Sequence, residues 1–545
     1  MKILLLAHSF NSLTQRLWVE LSRAGHDVCL EFDVNDAVTI EAVELAQPEF
    51  IIAPFLKRAI PEAVWRRHKC LVVHPGPIGD RGPAALDWAI LEGRAEWGVT
   101  VLQAEAEMDA GPVWAHRAFP MRAASKSSLY RNEVTDAAVE AVFEALHVAE
   151  PIRPAKTWWK PALTQAERAI DWGADDTATV LRKLRASDGT PGVRDGELYL
   201  HDGAAADGLT VCGRPGDWIA RQAGRLARAT TDGAVWIGHV RRAEAGALKL
   251  PAATVLAHIA EGLPEQSGHH DIWYDEKGGV GFLHFPFHNG AMSTDQCLRL
   301  RDAFVAATKR PTKVIALMGG PDYWSNGIHL GTIEAADSPA DESWRNINAM
   351  NDLCEAVITC GSHLTVAAMH GNAGAGGVFM ALAADMVVAR AGVVLNPHYK
   401  GMGNLYGSEY WTYLLPRRCG ADGAARLTAA RLPVGSEEAR ELGLIDAAFG
   451  TSLPDFRAKV EALAHDLAAS PDLDERLAAK RLARLADEAD KPLAAYRAEE
   501  LEHMKLNFYG FDPSYHVARW NFIRKVPKSR TPLYLARHRA KRTAQ

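Results

Sequence analysis

The pattern of apolar and polar positions predicts an α/β fold at the start of the chain. Four apolar runs of strand length are separated by polar segments, at residues 2–6, 28–32, 50–56 and 70–73. Between the first two runs, Ser12 and Gln15 form a capping pair and Gly25 marks a helix end. Strand, helix and strand at this spacing pair in parallel, and such sheets bind ligands at their strand ends. The first turn lacks GxGxxG, which argues against a dinucleotide.

A second region of strand and helix patterns begins at about residue 271. The pattern predicts two strands and an intervening helix, at residues 280–285, 314–318 and 293–309. A glycine-rich loop at residues 370–377 then leads into the apolar helical run 378–385. The N–H groups at such a helix start bind anions or polarise carbonyl groups, although a tightly packed helix start has the same pattern. The uncharged run 358–384 contains this loop and polar side chains, so we interpret it as buried strand and loop rather than a membrane span.

The composition is that of an ordinary globular protein with more than one domain. The chain has 545 residues, 48% hydrophobic and 23% charged, with a net charge of −6, which is too long for a single core. Its seven cysteines are scattered without a CxxC pair, which predicts buried free thiols in a reducing cytoplasm and no metal site. No signal-peptide pattern follows Met1. We therefore expect a cytoplasmic protein.

The fourth predicted strand ends at a histidine in a rigid loop. Residues 74–83 read HPGPIGDRGP, and a helix is predicted over residues 84–91. α/β enzymes place catalytic groups at the carboxyl ends of strands, although a lone histidine is also common as a structural residue. This loop and the segments DWAI, GVT and MDAG, at residues 87–90, 98–100 and 108–111, resemble the formyltransferase family that uses 10-formyltetrahydrofolate. Methionyl-tRNA formyltransferase is a member of that family.

The formyltransferase resemblance implies a Rossmann-like core and a catalytic pair. By position, His74 and Asp109 would catalyse formyl transfer, and Arg81 and Gly82 would help to bind the folate donor. The family has an asparagine two residues before the histidine, and this chain has Val72 there. A valine side chain forms no hydrogen bond, so how the formyl oxygen is held stays open. The replacement suggests an acceptor or a geometry different from that of tRNA formylation.

A proline-rich segment separates this core from a region of short strands. Residues 151–161 predict a linker or domain seam. Between residues 196 and 255 the predicted strands are short and separated by turns, as in a small barrel. The motifs RAIDW at residues 168–172 and WIG at 236–238 resemble the small C-terminal barrel that follows the formyltransferase core. A spacer domain is the alternative.

Two segments of the second region resemble the enoyl-CoA hydratase/isomerase (crotonase) superfamily. They are YWSNGIHL at residues 323–330 and NAGAGG at residues 372–377. In that superfamily each segment gives one backbone N–H group to the thioester oxygen of an acyl-CoA. The resemblance implies that Ile328 and Gly376 are these two donors. It also implies that three neighbours line the CoA site, namely Asn326, Gly327 and Gly377.

The positions that carry hydration chemistry in the crotonase superfamily hold other residues in this chain. His329 replaces the acidic residue after the first donor, and the two hydratase glutamates fall on Phe379 and His398. The segments NPHYKGMG and YGSEYW, which would lie opposite the donors, carry Tyr399 and Glu409. We predict that Tyr399 and Glu409 transfer a proton, with His398 as the next candidate base. A packing role is the alternative for Tyr399.

The end of the chain is predicted to be helical and then basic. From Pro513 onward there are nine Lys or Arg residues and no Asp or Glu, interleaved with aromatic residues. A nucleic-acid-binding tail and a solvated tail both fit this composition. We expect the tail to cover the crotonase-like domain, with some cations near the phosphates of CoA.

The two resemblances occur together in a family of hydrogenase-maturation factors, which the whole chain resembles. We expect an α/β multidomain protein of four parts. They are a Rossmann-like formyltransferase core (1–150), a small OB-like β-barrel (151–265), a crotonase-like α/β spiral domain (266–470) and a helical, basic extension (471–545).

The resemblance to these maturation factors implies synthesis of the carbon monoxide ligand of nickel–iron hydrogenase. The first half would pass formyl from 10-formyltetrahydrofolate to coenzyme A, and the second would split formyl-CoA into CO and CoA. The implied partners are these two small molecules and a hydrogenase large subunit or other maturation proteins, with no membrane and no nucleic acid. The alternatives are a non-catalytic folate- and CoA-binding assembly factor and another folate-dependent formyltransferase with an acyl-CoA-processing domain.

Overall fold

The chain folds into two compact units. The computed structural model describes residues 1–210 and 212–540. The first unit contains residues 1–269 and the residues from 527 onward, and the second contains residues 270–526. The mixed α/β architecture with several domains confirms the predicted fold class.

The first unit begins with a mixed sheet that confirms the four predicted strands. Its strands and a short additional pair are β1 (Lys2–Ala7), β2 (Asp27–Phe32), β3 (Phe50–Phe55), β4 (Cys70–His74), β5 (Asp80–Arg81), β6 (Glu96–Gln103), β7 (Val113–Pro120) and β8 (Trp158–Trp159). The sheet order is β2-β1-β3-β4-β6-β7, and β5 pairs with β8. The first four strands are parallel, whereas β6 and β7 are antiparallel to their neighbours. The carboxyl ends of β1, β3 and β4 therefore share one edge, where β4 ends at His74.

Helices connect and cover this sheet. They are α1 (Ser12–Arg23), α2 (Asp36–Ala46), α3 (Glu62–Trp65), α4 (Ala85–Leu91), α5 (Lys126–Leu129), a π-helix (Tyr130–Val134) and α6 (Thr135–Ala145). The predicted capping pair of α1 is wrong. Asn11 is the cap and accepts a hydrogen bond from the N–H of Thr14, while Gln15 donates to the carbonyl of Phe10. The short amide side chain of Asn11 reaches the first turn from outside the helix, which Ser12 inside the helix cannot do.

An antiparallel sheet follows in the first unit. Its elements are α7 (Gln165–Arg168), α8 (Thr177–Ala186), β9 (Val193–Asp195), β10 (Leu198–Ala205), β11 (Trp218–Gln222), β12 (Arg225–Ala229), β13 (Ala234–Arg242), β14 (Leu250–Pro251), α9 (Ala252–Val255) and α10 (Ala257–Ala260). The order is β11-β12-β13-β10-β9, with β14 on β13. Short antiparallel strands occur where the sequence predicts a small β-domain. Buried side chains of α8 and of the strands form their shared core.

The second unit has two sheets built from a repeated strand pair. Its strands are β15 (Trp273–Lys277), β16 (Val280–Phe285), β17 (Val314–Gly319), β18 (Tyr323–Ser325), β19 (Leu364–Met369), β20 (Asn372–Gly374), β21 (Met386–Arg390), β22 (Val394–Asn396), β23 (Val434–Gly435) and β24 (Ala447–Phe449). The larger sheet has the order β15-β16-β17-β19-β21-β24, and the smaller has β18-β20-β22-β23. Each of β17, β19 and β21 is followed after a short turn by a strand of the smaller sheet. This repetition produces the spiral that the crotonase resemblance implies.

Helices enclose the two sheets of the second unit. They are α11 (Thr294–Ala307), α12 (Leu330–Ala335), α13 (Pro339–Ile358), α14 (Gly376–Leu382), α15 (Trp411–Ala430), α16 (Ser436–Glu441), α17 (Leu453–Ala469), α18 (Leu473–Asp490), α19 (Leu493–Tyr509) and α20 (Ser514–Ile523). The helical C-terminal region is thereby confirmed. A short 3₁₀ turn also occurs at His288–Gly290. One large core joins α11, α13, α14, α15 and α19 to the sheets.

The last described residues of the tail belong to the first unit. Helix α21 (Arg537–Ala540) follows a segment in which the carbonyl of Leu535 accepts a hydrogen bond from the N–H of Leu30. The fully buried Glu31 carboxylate accepts hydrogen bonds from Thr531, His538 and Arg539. Burial alone would raise the pKa of Glu31, but the hydrogen bonds from His538, Thr531 and Arg539 outweigh it and lower that pKa.

The expectation that the tail covers the crotonase-like domain is therefore wrong for its last part. Its first part, α20, does pack on the second unit, where Arg519 pairs with Glu334 at 2.9 Å. Two arginines of the last part bind carboxylates of the first unit, since Arg537 pairs with Asp27 and Arg539 with Glu31 and Glu41. Two further cations of the tail, Lys541 and Arg542, lie outside the described residues.

We expect Glu31→Gln to lower the free energy of unfolding of the first unit by roughly 3 kcal/mol, because it breaks a buried ion pair. Denaturant unfolding followed by tryptophan fluorescence measures this loss. Glu41→Gln is the matched control, because Glu41 is 41% exposed and its pair with Arg539 contributes under about 1 kcal/mol. Equal unfolding midpoints for the two variants would contradict the structural role of the Glu31 cluster.

The cysteines and the apolar helices add two findings. All seven cysteines are thiols rather than disulfides, as predicted, and four of them are buried. Cys29 and Cys419 are only partly buried and Cys212 is exposed, so the prediction of buried thiols does not hold for these three. Among the described residues, no helix is both long and apolar enough to cross a membrane.

Candidate functional site

The predicted catalytic histidine of the first unit lies between two carboxylates. Nε2 of His74 is 2.9 Å from Oδ2 of Asp80, and Nδ1 is 3.6 Å from Oδ2 of Asp109. His74 and Asp80 are buried. The structure thus brings the predicted pair, His74 and Asp109, together and adds Asp80 to it.

Asp80 is a site residue that the sequence did not single out. It lies on β5, and its other oxygen accepts a hydrogen bond from Nε1 of Trp158 on the paired strand β8. The proline-rich segment predicted as a linker therefore contributes an ordered tryptophan. The only signal in the sequence is an acidic residue six positions after His74 in the same rigid loop. Its hydrogen bond fixes the ring orientation of His74, as a carboxylate commonly does for a functional histidine.

The loop between His74 and Asp80 is packed so tightly that a side chain would not fit at Gly76. A methyl group on Gly76 would come within 2.5 Å of His74 Nε2 and 2.4 Å of Asp80 Oδ2. Thr100 of the predicted GVT segment donates its hydroxyl to the carbonyl of Gly76 at 2.8 Å. The sheet thus holds the backbone of Gly76 directly against the His74 ring. Val72, two residues earlier on β4, gives this site no side-chain hydrogen bond.

Asp109 is held on the other side of His74 by a strained turn. Its φ is +54°, in the left-handed region that non-glycine residues seldom adopt. The N–H of Gly82 donates to Oδ2 of Asp109 at 3.1 Å. Arg81 donates from Nε to the carbonyl of Met108 at 3.0 Å and pairs with Glu107 at 2.8 Å. The predicted folate-binding residues Arg81 and Gly82 therefore anchor the turn that carries Asp109.

The two predicted N–H donors of the second unit lie at one edge of the smaller sheet. β18 and β20 are parallel neighbours, so the turns that follow them lie side by side. A methyl group on Gly327 would be 3.3 Å from the backbone nitrogen of Gly376, which shows how closely the turns approach. Gly377 must be glycine, since a methyl group there would be 2.0 Å from the carbonyl oxygen of Ser325. Asn326 donates to the carbonyl of Asn289 at 2.8 Å and fixes the first turn.

The predicted acid–base pair meets directly beside this edge. Oη of Tyr399 is 2.5 Å from Oε2 of Glu409 and 2.9 Å from the carbonyl oxygen of Ser408. A methyl group on Gly376 would come within 2.2 Å of Oε1 of Glu409, so that oxygen lies against the second donor. The ring of Phe379 stacks on Tyr399 at 5.3 Å between ring centroids. The hydratase glutamate position thus holds a ring that supports the tyrosine.

Burial gives this pair unusual proton affinity. Glu409 is 1% exposed, and burial raises its pKa to about 8, although hydrogen bonds from Tyr399 and Ser408 oppose the rise. Burial and the neighbouring Glu409 raise the pKa of Tyr399 well above its ordinary value. The phenol therefore keeps its proton, and its O–H donates a hydrogen bond to the carboxylate when Glu409 is ionised. When Glu409 is protonated, the phenol oxygen can accept a hydrogen bond from the carboxyl group and donate one to the carbonyl oxygen of Ser408.

The other histidines near the donors are less suited to act as a base. Burial lowers the pKa of His398 to about 4, which makes it a far weaker base than Glu409. His329 caps α12, because its Nδ1 accepts a hydrogen bond from the N–H of Thr332 at 3.0 Å. The residue that replaces the family's acidic position therefore has a structural role in this chain.

Two further residues hold Glu409 and were missed by the sequence analysis. Asn351 accepts a hydrogen bond from the backbone N–H of Glu409 at 2.8 Å. Glu500 on α19 is fully buried and accepts hydrogen bonds from Ser408, before Glu409, and from Tyr410, after it. Glu500 shares the buried face of α19 with Leu493, Met504 and Phe508, so a glutamate on an apolar stripe was the available signal.

Comparisons with known proteins agree with both halves of this description. The chain matches the formyl transferase family over residues 32–146 and the enoyl-CoA hydratase/isomerase family over residues 280–507. It is 58% identical over 558 residues to the hydrogenase maturation factor HoxX of Bradyrhizobium diazoefficiens, covering 99% of this chain and 98% of that one. The chain belongs to the HoxX/HypX family of hydrogenase maturation factors. The recognition made from the sequence is thereby confirmed.

The HoxX/HypX fold is matched along its whole length. The crystal structure of HypX from Aquifex aeolicus in complex with tetrahydrofolic acid superimposes with a TM-score of 0.96 at 49% identity, covering 99% of both chains. A methionyl-tRNA formyltransferase of Granulibacter bethesdensis is 30% identical over 201 residues, which is 34% of this chain and 64% of that enzyme. The similarity to tRNA formylation enzymes is therefore confined to part of this HoxX/HypX chain.

Proposed function

We propose that this protein makes carbon monoxide for the active site of nickel–iron hydrogenase. Formyl passes from 10-formyltetrahydrofolate to the sulfur of coenzyme A, and formyl-CoA then breaks down to CO and CoA. The observation that carries the proposal is the buried Glu409–Tyr399 pair, which lies against Gly376 at the crotonase donor edge. A related HypX holds tetrahydrofolic acid, and a related HoxX is a hydrogenase maturation factor. The free thiols fit a reducing cytoplasm, where we place the protein.

The first step exchanges a C–N bond for a C–S bond. The CoA thiolate attacks the formyl carbon of 10-formyltetrahydrofolate, and N10 leaves with a proton to give tetrahydrofolate and formyl-CoA. His74 would supply that proton and stabilise the developing oxyanion, with its ring held by Asp80 and Asp109. Since Val72 gives no hydrogen bond, more of the stabilisation falls on His74.

The second step removes a proton and a thiolate from the same carbon. Glu409 takes the formyl hydrogen as a proton, the C–S bond breaks, and the CoA sulfur gains a proton, so formyl-CoA gives CO and CoA without water. The N–H groups of Ile328 and Gly376 would polarise the carbonyl, and one such donor contributes roughly 3 kcal/mol in acyl-transfer enzymes. Tyr399 holds Glu409 in place and can relay the proton toward the sulfur.

Isotope-labelled substrate tests the proposal directly. Purified protein is incubated with CoA and 10-formyltetrahydrofolate labelled with ¹³C in the formyl group, and ¹³CO and tetrahydrofolate are measured together. We expect equal amounts of both products, and neither when CoA is omitted. Binding of both ligands without ¹³CO would favour the non-catalytic assembly factor. Tetrahydrofolate release with formyl left on another acceptor would favour a different formyltransferase.

We expect the rate of CO release from added formyl-CoA to rise with pH and to level off above about 8, the raised pKa of Glu409. Only the ionised carboxylate accepts a proton, so roughly one molecule in ten would be active at about pH 7. Initial rates of CO release across the pH range give the profile. A rise near 4.5, the ordinary pKa of a glutamate, would contradict Glu409 as the base.

A further inference from the structure

A second buried glutamate lies beside Glu409 and has no role in the chemistry above. Both carboxylate oxygens of Glu500 are used. Oε1 accepts hydrogen bonds from the N–H and the hydroxyl of Thr412, at 2.9 and 2.6 Å. Oε2 accepts from the N–H of Tyr410 at 3.0 Å and from the hydroxyl of Ser408 at 3.2 Å. Glu500 therefore binds the residues immediately before and after Glu409.

The turn that Glu500 binds is strained. Glu409 and Tyr410 both have a φ of +59°, in the left-handed region that non-glycine residues seldom adopt. Tyr410 is also the N-cap of α15, and its side chain makes no capping hydrogen bond. Glu500 supplies the missing acceptor from α19, and a negative charge is favourable at a helix N-terminus. Without it, the turn would lose the contacts that offset its strain.

The two carboxylates also interact through their charges. Ser408 links them, since its N–H donates to Glu409 Oε2 at 3.2 Å and its hydroxyl donates to Glu500 Oε2. Like charges in a buried site oppose ionisation, and the charge of Glu500 adds to burial in raising the pKa of Glu409. Burial raises the pKa of Glu500 itself to about 7, against the hydrogen bonds from Thr412, Ser408 and Tyr410.

We infer that Glu500 is a positioning residue for the release of CO, because it holds the strained turn that places Glu409. This inference rests on the proposed function. Glu500 reaches the substrate only through Glu409. Its loss should therefore change both the maximal rate and the pH dependence of this step, while formyl transfer in the first unit is unaffected.

The other ionisable groups around the pair do not explain a titration near neutral pH. Burial raises the pKa of the thiols of Cys297 and Cys354, and it raises the pKa of Tyr399 and Tyr410. The hydroxyl of Tyr410 donates to Glu355, and Arg497 pairs with Glu355 and Asp352 at 3.1 and 2.7 Å. The carboxylates of Glu355 and Asp352 and the guanidinium of Arg497 therefore lie around the hydroxyl end of Tyr410.

The test follows CO release from added formyl-CoA as a function of pH in four proteins: wild type, Glu500→Gln, Thr412→Val and Glu502→Gln. We expect Glu500→Gln to lower the midpoint of the profile by roughly one pH unit and the maximal rate by roughly tenfold to a hundredfold. Thr412→Val removes one hydrogen bond that keeps Glu500 ionised, so it should lower the midpoint by less. Glu502, exposed on the same helix, is the control and should leave the profile unchanged.

A second readout separates this inference from the proposed function. Infrared difference spectra between about pH 6 and about pH 9 record the C=O stretch of protonated carboxyl groups, and ordinary carboxylates are already ionised there. The band that disappears in Glu409→Gln belongs to Glu409, and its midpoint should fall in Glu500→Gln.

An unchanged midpoint would overturn the inference even if wild type makes CO. If wild type makes no CO, the proposed function fails and the infrared midpoint alone decides on Glu500. If Glu500→Gln does not fold, the midpoint of Thr412→Val decides in the same way.

Discussion

Replacement of Glu409 by glutamine is expected to stop CO release while formyl-CoA accumulates from 10-formyltetrahydrofolate and CoA. Glutamine keeps the volume of the side chain and its hydrogen bond with Tyr399, but it cannot accept the formyl proton. A general base contributes roughly 10²- to 10⁴-fold to the rate of such a step. Because Glu409 lies in the second unit and His74 in the first, tetrahydrofolate release should continue.

Gas-phase CO and thioester chromatography measure the two products of the Glu409→Gln protein. Glu502→Gln makes the same chemical change at an exposed position and serves as the control. If Glu409→Gln releases CO at the wild-type rate, the base lies elsewhere. His398→Gln would then be the next variant to measure, although the lowered pKa of His398 makes it a weak base.

Replacement of His74 by alanine is expected to abolish release of tetrahydrofolate. The His74 ring lies between the carboxylates of Asp80 and Asp109. Its loss removes both proton delivery to N10 and stabilisation of the oxyanion. We expect tetrahydrofolate release to fall roughly 10²- to 10⁴-fold. CO release from added formyl-CoA should be unchanged, because that reaction starts after the formyl transfer.

Chromatographic detection of tetrahydrofolate checks the His74 prediction. His147→Ala removes an exposed imidazole from the same unit and controls for the loss of a histidine. Asp80→Asn should give an intermediate rate, because an amide still contacts the ring but does not stabilise its charged form. Near-normal tetrahydrofolate release from His74→Ala would show that formyl transfer takes place without this residue.

Local sequence patterns were sufficient for many of the elements and for naming candidate site residues. The strand predicted at residues 280–285 agrees with β16, because a short continuous apolar run between polar turns is typical of a buried strand. The strand predicted at residues 70–73 ends in the structure at His74, and a parallel strand places its carboxyl end at the ligand edge. The glycine-rich loop predicted at residues 370–377 contains Gly377, where the structure brings two backbone turns close together.

Contacts between distant segments were decided by the tertiary structure alone. Asp80 meets Trp158 because β5 pairs with β8, and Glu500 meets the Glu409 turn because α19 packs on α15, about ninety residues away along the chain. Thr531 and His538 reach Glu31 across nearly the whole sequence. A periodic pattern reports which face of an element is buried, and it carries no information about which other element covers that face. The sequence therefore determined the elements and the candidate acid, base and donors, and the tertiary structure determined which buried groups hold them in place and set their proton affinity.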